Sequence, residues 1–351
     1  MKKIIICCDG TWNSPDQPTP SNVFKLKSAL LLADSKQIRQ LVYYDAGIGA
    51  DSDFIDKYVA GATGMGISKN IRDCYQCLVQ QFQPGDQIYC FGFSRGAYTV
   101  RSLVGFVSAY GLLTTEQMDE FEMMYQLYRT PPAKRAQHKD FARCEAIRAG
   151  SVKPRITFIG VWDTVGALGV PTPMLGWISR QFWVGFHDTE LRNTDYAYQA
   201  LAIDERRKPF RPSVWTKAND CLEMQQVWFA GCHSNVGGGL QDSGLSDTAF
   251  AWMLKKAQIR GLEFDQNYLD DPTHLNPDFR GPIEDSYSLA YKVFGPYLRP
   301  IGQMHDDVQA SKTGVNELIH ASVASRYAEN LPTFNPDNTR YGLEKLATQT
   351  E

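Results

Sequence analysis

Apolar runs alternate with amphipathic stretches along the first hundred residues of the chain. The runs at 3–8, 41–44 and 87–91 are short and rich in Ile, Tyr and other strand-forming residues, which is typical of buried strands. Between the last two runs, apolar residues recur every three or four positions, and this spacing predicts an amphipathic helix. Its apolar positions are Ile67, Ile71, Cys74, Leu78 and Phe82. Strands that alternate with helices favour a mostly parallel sheet with helices on its faces.

Two later runs, 155–162 and 226–230, are almost continuously apolar and predict central strands that are covered on both faces. Helical patterns at 23–33 and 246–257 extend the alternation. We therefore expect a single α/β domain over residues 1–351, with a mostly parallel central sheet flanked by helices.

Three segments outside this alternation are expected to be attached to it. The polar, helix-prone stretch 111–150 predicts a cap insertion, and 167–225 predicts a lid insertion. Residues 327–351 are polar and contain proline, which predicts a loosely attached C-terminal tail.

A serine between two glycines follows the third strand, in the stretch CFGFSRGA. The pattern Gly92-x-Ser94-x-Gly96 between a strand and a helix is typical of a nucleophile on a sharp turn. Only glycine lets strand and helix approach this closely without a Cβ clash. Asp163, in VWDTVGALG, and His233, in FAGCHSNVGGG, follow the two later strands. Because the carboxyl ends of parallel strands share one edge of a sheet, we expect these side chains to converge.

The order serine, acid, histidine along the chain is the order found in α/β-hydrolases. In that chemistry the histidine removes the serine proton, and a carboxylate fixes the imidazole tautomer and stabilises the imidazolium. We therefore predict Ser94 as the nucleophile, His233 as the general base and Asp163 as the acid, on an α/β-hydrolase-like fold. Asp204 and Asp9 are the alternatives for the acid. Asp204 follows a helix-like run rather than a strand, which favours Asp163.

Acyl transfer also needs amide donors directed at the oxyanion. The amide of Arg95, directly after the serine, is the first candidate. The second is expected from Gly10 or Thr11 in CDGTWN, after the first strand, although this stretch could also be a simple strand-to-helix turn. Asp9 is expected to support that loop by hydrogen bonds rather than to face the oxyanion. Such a mechanism requires no metal and no organic cofactor.

Net charge and cysteine positions restrict the expected partners and the expected cellular compartment. A formal net charge of -3 argues against nucleic acid as a partner, because phosphate binding needs a concentrated basic surface. The eight scattered cysteines are expected to be buried free thiols, which favours a reducing compartment. Cys74 and Cys77 form a C-x-x-C pair, but without a second pair they do not predict a zinc site. With no signal peptide and no membrane-spanning segment in its pattern, we expect a cytoplasmic protein.

Six ordered motifs resemble one known family. They are CDGTWN, YYDAGIG, GFSRGAYTVR, GVWDTVGALG, AIDERRKPF and CHSNVGGG, spread over residues 3–262. The chain resembles a family of uncharacterised α/β-hydrolase domains that includes the type VI secretion phospholipase effectors of type 1. The resemblance implies that Ser94, Asp163 and His233 act on acyl esters, with phospholipids the best-known substrates, and it raises export by a dedicated secretion system. The chain is smaller than those effectors and is expected to be the hydrolase domain with little attached.

An aromatic cluster lies between the acid and the histidine. If exposed, it would suit a lid that grips an acyl chain or touches a bilayer; the alternative is that it packs on the core. Its members are Trp177, Phe182, Trp183 and Phe186. The expected partner is a small-molecule or lipid acyl ester, and acyl length, head group and oligomeric state are left open.

Two other classes of function remain as alternatives to a serine esterase. One is a non-catalytic binding module on the same fold. The other is a nucleotide-binding protein, suggested by GATGMGISK, but Ile67 stands where a phosphate-binding loop requires lysine.

Overall fold

The computed structural model describes residues 1–10, 18–47, 65–165, 189–287, 289–292, 295–302, 304–305 and 312–349. Eight of the strands there form one sheet, and every neighbouring pair in it is parallel. In chain order the strands are β1 (Lys3–Cys8), β2 (Gln40–Asp45), β3 (Gln87–Phe93), β4 (Ile156–Trp162), β5 (Glu190–Leu191), β6 (Thr194–Ala202), β7 (Lys217–Ala218), β8 (Glu223–Phe229), β9 (Met304–His305), β10 (Lys312–Thr313), β11 (Glu317–His320) and β12 (Thr348–Gln349). The predicted mostly parallel sheet is confirmed.

The order of the strands determines where a ligand can bind. Across the sheet the order is β2-β1-β3-β4-β6-β8-β11-β12, with β5–β7 and β9–β10 as separate short pairs. The chain moves outward from β1 to β2, and then returns past β1 and adds the later strands of this sheet on the other side. The reversal falls between β1 and β3, and ligands of open α/β sheets bind at the carboxyl edge of such a switch point.

Helices cover both faces of the sheet. They are α1 (Asn22–Ala29), α2 (Met65–Gln81), α3 (Arg95–Tyr110), α4 (Phe121–Arg129), α5 (Pro132–Arg135), α6 (Phe141–Gly150), α7 (His233–Gly237), α8 (Gly244–Ile259), α9 (Gln266–Asp270), α10 (Leu289–Lys292), α11 (Ala321–Ala328) and α12 (Pro336–Lys345), with 3-10 turns at Thr115–Glu120 and Lys208–Phe210. None of the helices in the described ranges combines the length and the apolar character needed to cross a bilayer.

The central strand β1 shows how the core is built. Successive strand residues point to opposite faces. Ile4 and Ile6 pack into a cluster with α2 and α3, whereas Ile5 and Cys7 pack into a second cluster with α1 and α8. All four side chains are completely buried, which explains why the sequence of this strand is continuously apolar rather than alternating.

The segment 189–225 differs from the sequence-based expectation. The predicted lid, 167–225, contains β6, which lies in the centre of the sheet between β4 and β8. The run before Asp204 is therefore a strand and not a helix-like stretch. Its alanine, leucine and glutamine residues have little strand preference, but two flanking strands supply its hydrogen bonds, and this context overrides propensity. Residues 167–188 lie outside the described part of the chain.

The predicted cap and tail also differ in placement. Segment 111–150 is helical, but its aromatic residues Phe121, Tyr125 and Tyr128 pack around Phe106 of α3. Phe106 lies about 18 Å along the helix from Ser94, so these contacts place the segment against the distant half of α3. The tail supplies α12 and the edge strand β12, which pairs with β11.

The turn from β3 into α3 depends on its two glycines. A methyl group on Gly92 would lie 2.6 Å from the carbonyl oxygen of Gly96, and one on Gly96 would overlap the backbone of Cys8 and Asp9 at the end of β1. The start of α3 thus rests directly on the backbone of the neighbouring strand. This contact explains the sequence pattern on physical grounds.

Gly96→Ala should lower the free energy of unfolding by about 1–3 kcal/mol, because the added methyl group displaces backbone rather than a side chain. Urea denaturation measures the effect. Gly150→Ala is the matched control, since the space around Gly150 is open. Equal stability of the two variants would contradict this account of the turn.

Candidate active site

Ser94 occupies a strained position between β3 and α3. Its φ of 57° and ψ of -120° lie in a region that residues with a side chain rarely adopt. The amide of Ser94 donates to the carbonyl oxygen of Trp162, 3.0 Å away, and this bond holds the turn to the end of β4. Such strain at a strand-to-helix turn is typical of the nucleophile in α/β-hydrolases.

Asp163 and His233 are brought together at the same edge. Asp163 directly follows Trp162, and its Oδ2 is 2.5 Å from Nδ1 of His233. His233 begins α7 after β8, two strands further from Ser94 than β4 is. Its ring nevertheless reaches back to the ring of Phe93, with centroids 4.6 Å apart. Because Phe93 immediately precedes Ser94, the imidazole lies beside the serine turn.

The carboxylate of Asp163 is completely buried and fully hydrogen-bonded. Oδ1 accepts the amide of Ala202 at 3.0 Å and Nη1 of Arg299 at 2.6 Å. Oδ2 accepts Nη2 of Arg299 at 3.0 Å in addition to the imidazole. Burial by itself raises the pKa of this carboxyl, but the Arg299 charge and the His233 hydrogen bond outweigh it and hold the pKa well below its ordinary value. Asp163 is therefore ionised and accepts the Nδ1 proton, which leaves Nε2 of His233 as the basic nitrogen.

Arg299 is a site residue that the sequence-based reasoning missed. It is fully buried and also donates to the carbonyl oxygens of Ala202 and Phe210. No local pattern marks it, because it lies 136 residues from its carboxylate partner. The guanidinium shares Asp163 with the imidazole, so only part of the negative charge acts on His233.

His233 is held in an apolar environment. Its ring lies between Phe93 and Phe210, and the Phe210 ring meets it edge-on at 5.0 Å. Burial lowers the pKa of His233 below its ordinary value, and the Arg207 charge acts in the same direction, while Asp163 opposes both without prevailing. The imidazole is thus neutral at neutral pH and able to accept a proton.

Glu205 supports the backbone of the histidine and was also missed. It is completely buried, accepts the His233 amide at 3.3 Å, and forms a two-pronged pair with Arg207 at 2.8 Å. Burial raises the pKa of Glu205, but the Arg207 hydrogen bond outweighs it and the pKa lies below its ordinary value. Arg207 in turn lies over the ring of Phe210 at 3.6 Å. The motif AIDERRKPF after β6 therefore surrounds the histidine.

The alternative acids have other partners. Asp204 accepts the amides of Gly231, Phe334 and Asn335 and the hydroxyl of Thr333, which ties the histidine loop to the C-terminal segment. Among the described contacts, the carboxylate that bonds to the imidazole of His233 is that of Asp163.

Asp9 accepts hydrogen bonds from its own loop and from the neighbouring strand β2. It accepts the hydroxyls of Ser21 at 2.5 Å and Tyr44 at 2.9 Å, and the amide of Gly10 at 2.7 Å. The Gly10 amide is therefore already paired with a side chain. Arg95 directly follows Ser94 and begins α3. Thr11 and the aromatic cluster Trp177, Phe182, Trp183 and Phe186 lie outside the described residues.

A parallel sheet whose carboxyl edge holds a serine turn beside an aspartate–histidine pair is the architecture of the α/β-hydrolases, the class that includes lipases and esterases. Residues 2–256 match the family model described as T6SS (type VI secretion system), phospholipase effector Tle1-like, catalytic domain. The chain belongs to this family. Arg299 lies beyond the matched residues.

Several other proteins are similar to this chain over part of their length. An uncharacterized protein of Saccharomyces cerevisiae, YEL023C, is 26% identical over an alignment of 242 residues, with coverage of 61% of this chain and 33% of the yeast protein. An uncharacterized protein from Pseudomonas aeruginosa is similar in structure, with a TM-score of 0.44, 16% identity, and coverage of 80% of this chain and 49% of that one. The Tle1 effector bound to the VgrG spike has a TM-score of 0.39, 19% identity, and coverage of 69% and 52%. The chain therefore spans from a third to about half of the length of these proteins.

Arg299→Met should raise the pKa of His233, because Asp163 then directs its whole charge at the imidazole. Arg299→Lys keeps a cation and should raise it less. NMR titration of the ring protons measures both, with the His233 signal assigned from a His233→Gln spectrum. Arg340→Met, which removes an exposed arginine of α12, is the control. An unchanged His233 pKa in folded Arg299→Met protein would contradict the shared-carboxylate account.

Proposed function

We propose that the protein hydrolyses acyl esters through a covalent acyl-serine intermediate. Ser94 is the nucleophile, His233 the general base and Asp163 the residue that orients the imidazole. The main support is the short His233–Asp163 hydrogen bond on a ring that also packs against the residue preceding the serine. Family membership supports the same class of reaction.

The proposed reaction proceeds in two proton-coupled steps. Nε2 of His233 takes the Ser94 proton as Oγ attacks the ester carbonyl carbon, and the amide of Arg95 stabilises the resulting oxyanion. The imidazolium then protonates the leaving alcohol, and the acyl group remains on Ser94. A water molecule gives a proton to the same nitrogen and attacks the acyl-serine. The imidazolium then returns this proton to Oγ of Ser94 as the bond between Oγ and the acyl group breaks and the acid is released. The amide of Gly10 can join the oxyanion site only if it releases Asp9.

The proposed substrate class is acyl esters that include phospholipids. The family description names a phospholipase effector. Contact with a membrane surface and export by a secretion system remain predictions.

Ser94→Ala should lower kcat by about three orders of magnitude or more and abolish labelling by a fluorophosphonate probe, because the covalent step needs the hydroxyl. A panel of p-nitrophenyl esters and phospholipid vesicles measures the rate and defines the acyl preference. Ser102→Ala is the matched control, since Ser102 is a fully buried serine on α3, the helix that follows Ser94. Failure of the folded wild-type protein to label or turn over any of these esters would favour a binding role instead.

The rate should depend on a group that loses its proton below the ordinary histidine pKa of 6.5, because burial lowers the pKa of His233. Activity is then retained at neutral pH and falls as His233 gains its proton in acid. A profile of kcat/KM against pH measures this loss of activity on the acid side. His233→Gln should remove the activity, whereas His320→Gln should preserve it. His320 is a suitable control because it is also largely buried, with a pKa lowered by burial to about 4.

A further inference from the structure

Two thiols and a carboxylate meet at the carboxyl end of β1. Cys8 ends β1, Asp45 ends the neighbouring strand β2, and Cys74 lies on α2, which packs over both. The Sγ atoms of Cys8 and Cys74 are 3.4 Å apart. A carboxylate oxygen of Asp45 and the two sulfur atoms all lie within 4.8 Å of one another.

These separations are close to those of a tetrahedral metal centre. With metal–sulfur bonds of about 2.3 Å and metal–oxygen bonds of about 2.1 Å, adjacent sulfur ligands lie about 3.8 Å apart, and sulfur and oxygen about 3.6 Å apart. The two sulfur atoms need to separate by a few tenths of an ångström, and the carboxylate needs to approach by up to about 1 Å. Rotation of the Asp45 side chain supplies a movement of this size.

We propose that Cys8, Cys74 and Asp45 form a binding site for one thiophilic divalent cation of the zinc type. On binding, each thiol releases its proton to solvent and forms a sulfur–metal bond, while the carboxylate and a water molecule occupy the remaining two positions. Soft thiolate ligands select zinc or cadmium over magnesium or calcium.

The surroundings of Asp45 suit this role. Nδ2 of Asn70 donates to its Oδ1 at 3.1 Å, which orients the carboxylate from behind as outer ligands do in metal centres. Lys69 and Asp73, both on α2, act electrostatically on Asp45 with opposite signs, so together they add little net charge. Cys8 and Cys74 are buried, whereas Asp45 is only partly buried and is therefore the most solvent-exposed of the three residues.

The neighbouring cysteines show that the cluster is specific to three residues. Cys7 precedes Cys8 but packs in the cluster on the opposite face of the sheet. Cys77 follows Cys74 by one helical turn and does not belong to the group of three donor atoms. The C-x-x-C pair of the sequence is therefore split, and Cys74 has its thiol partner on a strand 66 residues earlier.

An ion at this position would act on the loop that follows β1. Asp9 comes directly after Cys8, and its amide donates to the carbonyl oxygen of Asp45 at 2.9 Å. The ion would thus join β1, β2 and α2 immediately beneath Asp9 and Gly10. We infer a structural role there, with no part in the hydrolytic steps.

Titration of the full chain with Cd²⁺ and then Zn²⁺ tests the site. The protein is first freed of metal with a chelator and kept reduced with a phosphine, which excludes disulfide formation. Thiolate-to-cadmium absorption in the ultraviolet should rise to saturation at one ion per chain, and the thermal midpoint should rise with metal concentration. Cys8→Ser and Cys74→Ser should lose the absorption, and Asp45→Asn should weaken zinc binding at least tenfold. Cys7→Ser and Cys77→Ser are the matched controls and should bind as wild type does.

Three results would contradict the proposed metal site. The first is a wild-type protein without saturable thiolate-to-cadmium absorption. The others are a Cys77→Ser variant that loses as much of this absorption as Cys74→Ser does, and an Asp45→Asn variant with unchanged affinity for zinc. Asp45→Asn keeps the size of the side chain, so the test does not depend on the cysteine variants folding. Ser94→Ala should bind the ion normally, and this separates a failure of the metal site from a failure of the proposed hydrolase.

Discussion

The carboxylate of Asp163 joins several elements at the carboxyl edge of the sheet. Its hydrogen bonds join the ends of β4 and β6, the histidine loop after β8 and an arginine from the C-terminal part of the chain. Leaving a buried charge such as this without its partner typically costs about 3–5 kcal/mol. That is a large share of the 5–15 kcal/mol by which an ordinary domain is stable. The orientation of the imidazole therefore depends on this side chain, which also contributes to the docking of the C-terminal segment together with Asp204.

The carboxylate of Asp163 accepts hydrogen bonds from a histidine and an arginine at the same time. An aspartate that faced the imidazole alone would raise the histidine pKa strongly, whereas here Arg299 neutralises part of the charge and burial keeps the imidazole neutral. Glu205 and Arg207 form a second buried pair on the other side of His233. Two carboxylate–guanidinium pairs thus hold the histidine in position: one is bonded to its ring and the other to its backbone amide.

The sequence predicts β1, β3, β4 and β8 and the residues at their ends, because the first three strands and the second half of β8 consist almost entirely of apolar residues. The sequence pattern does not predict β6, because its Ala and Gln residues do not indicate a strand. The strand forms between β4 and β8, which supply its hydrogen bonds. Arg299 and Glu205 are not predicted from the sequence for a different reason. Their roles depend on partners that are distant in the sequence and become neighbours only in the tertiary fold. The C-x-x-C spacing is misleading, since Cys74 meets Cys8 through the packing of α2 on the sheet.

The backbone geometry of this edge has a consequence for how the molecule fails. Ser94 and Asp163 both have positive φ values, 57° and 39°, at the ends of adjacent strands. Each such conformation costs about 1–3 kcal/mol and persists only while the packing around it is tight. If the packing around this edge loosens, both turns can relax while the sheet beneath them remains folded. We therefore expect local loosening to disturb the arrangement of Ser94, Asp163 and His233 before the sheet itself unfolds.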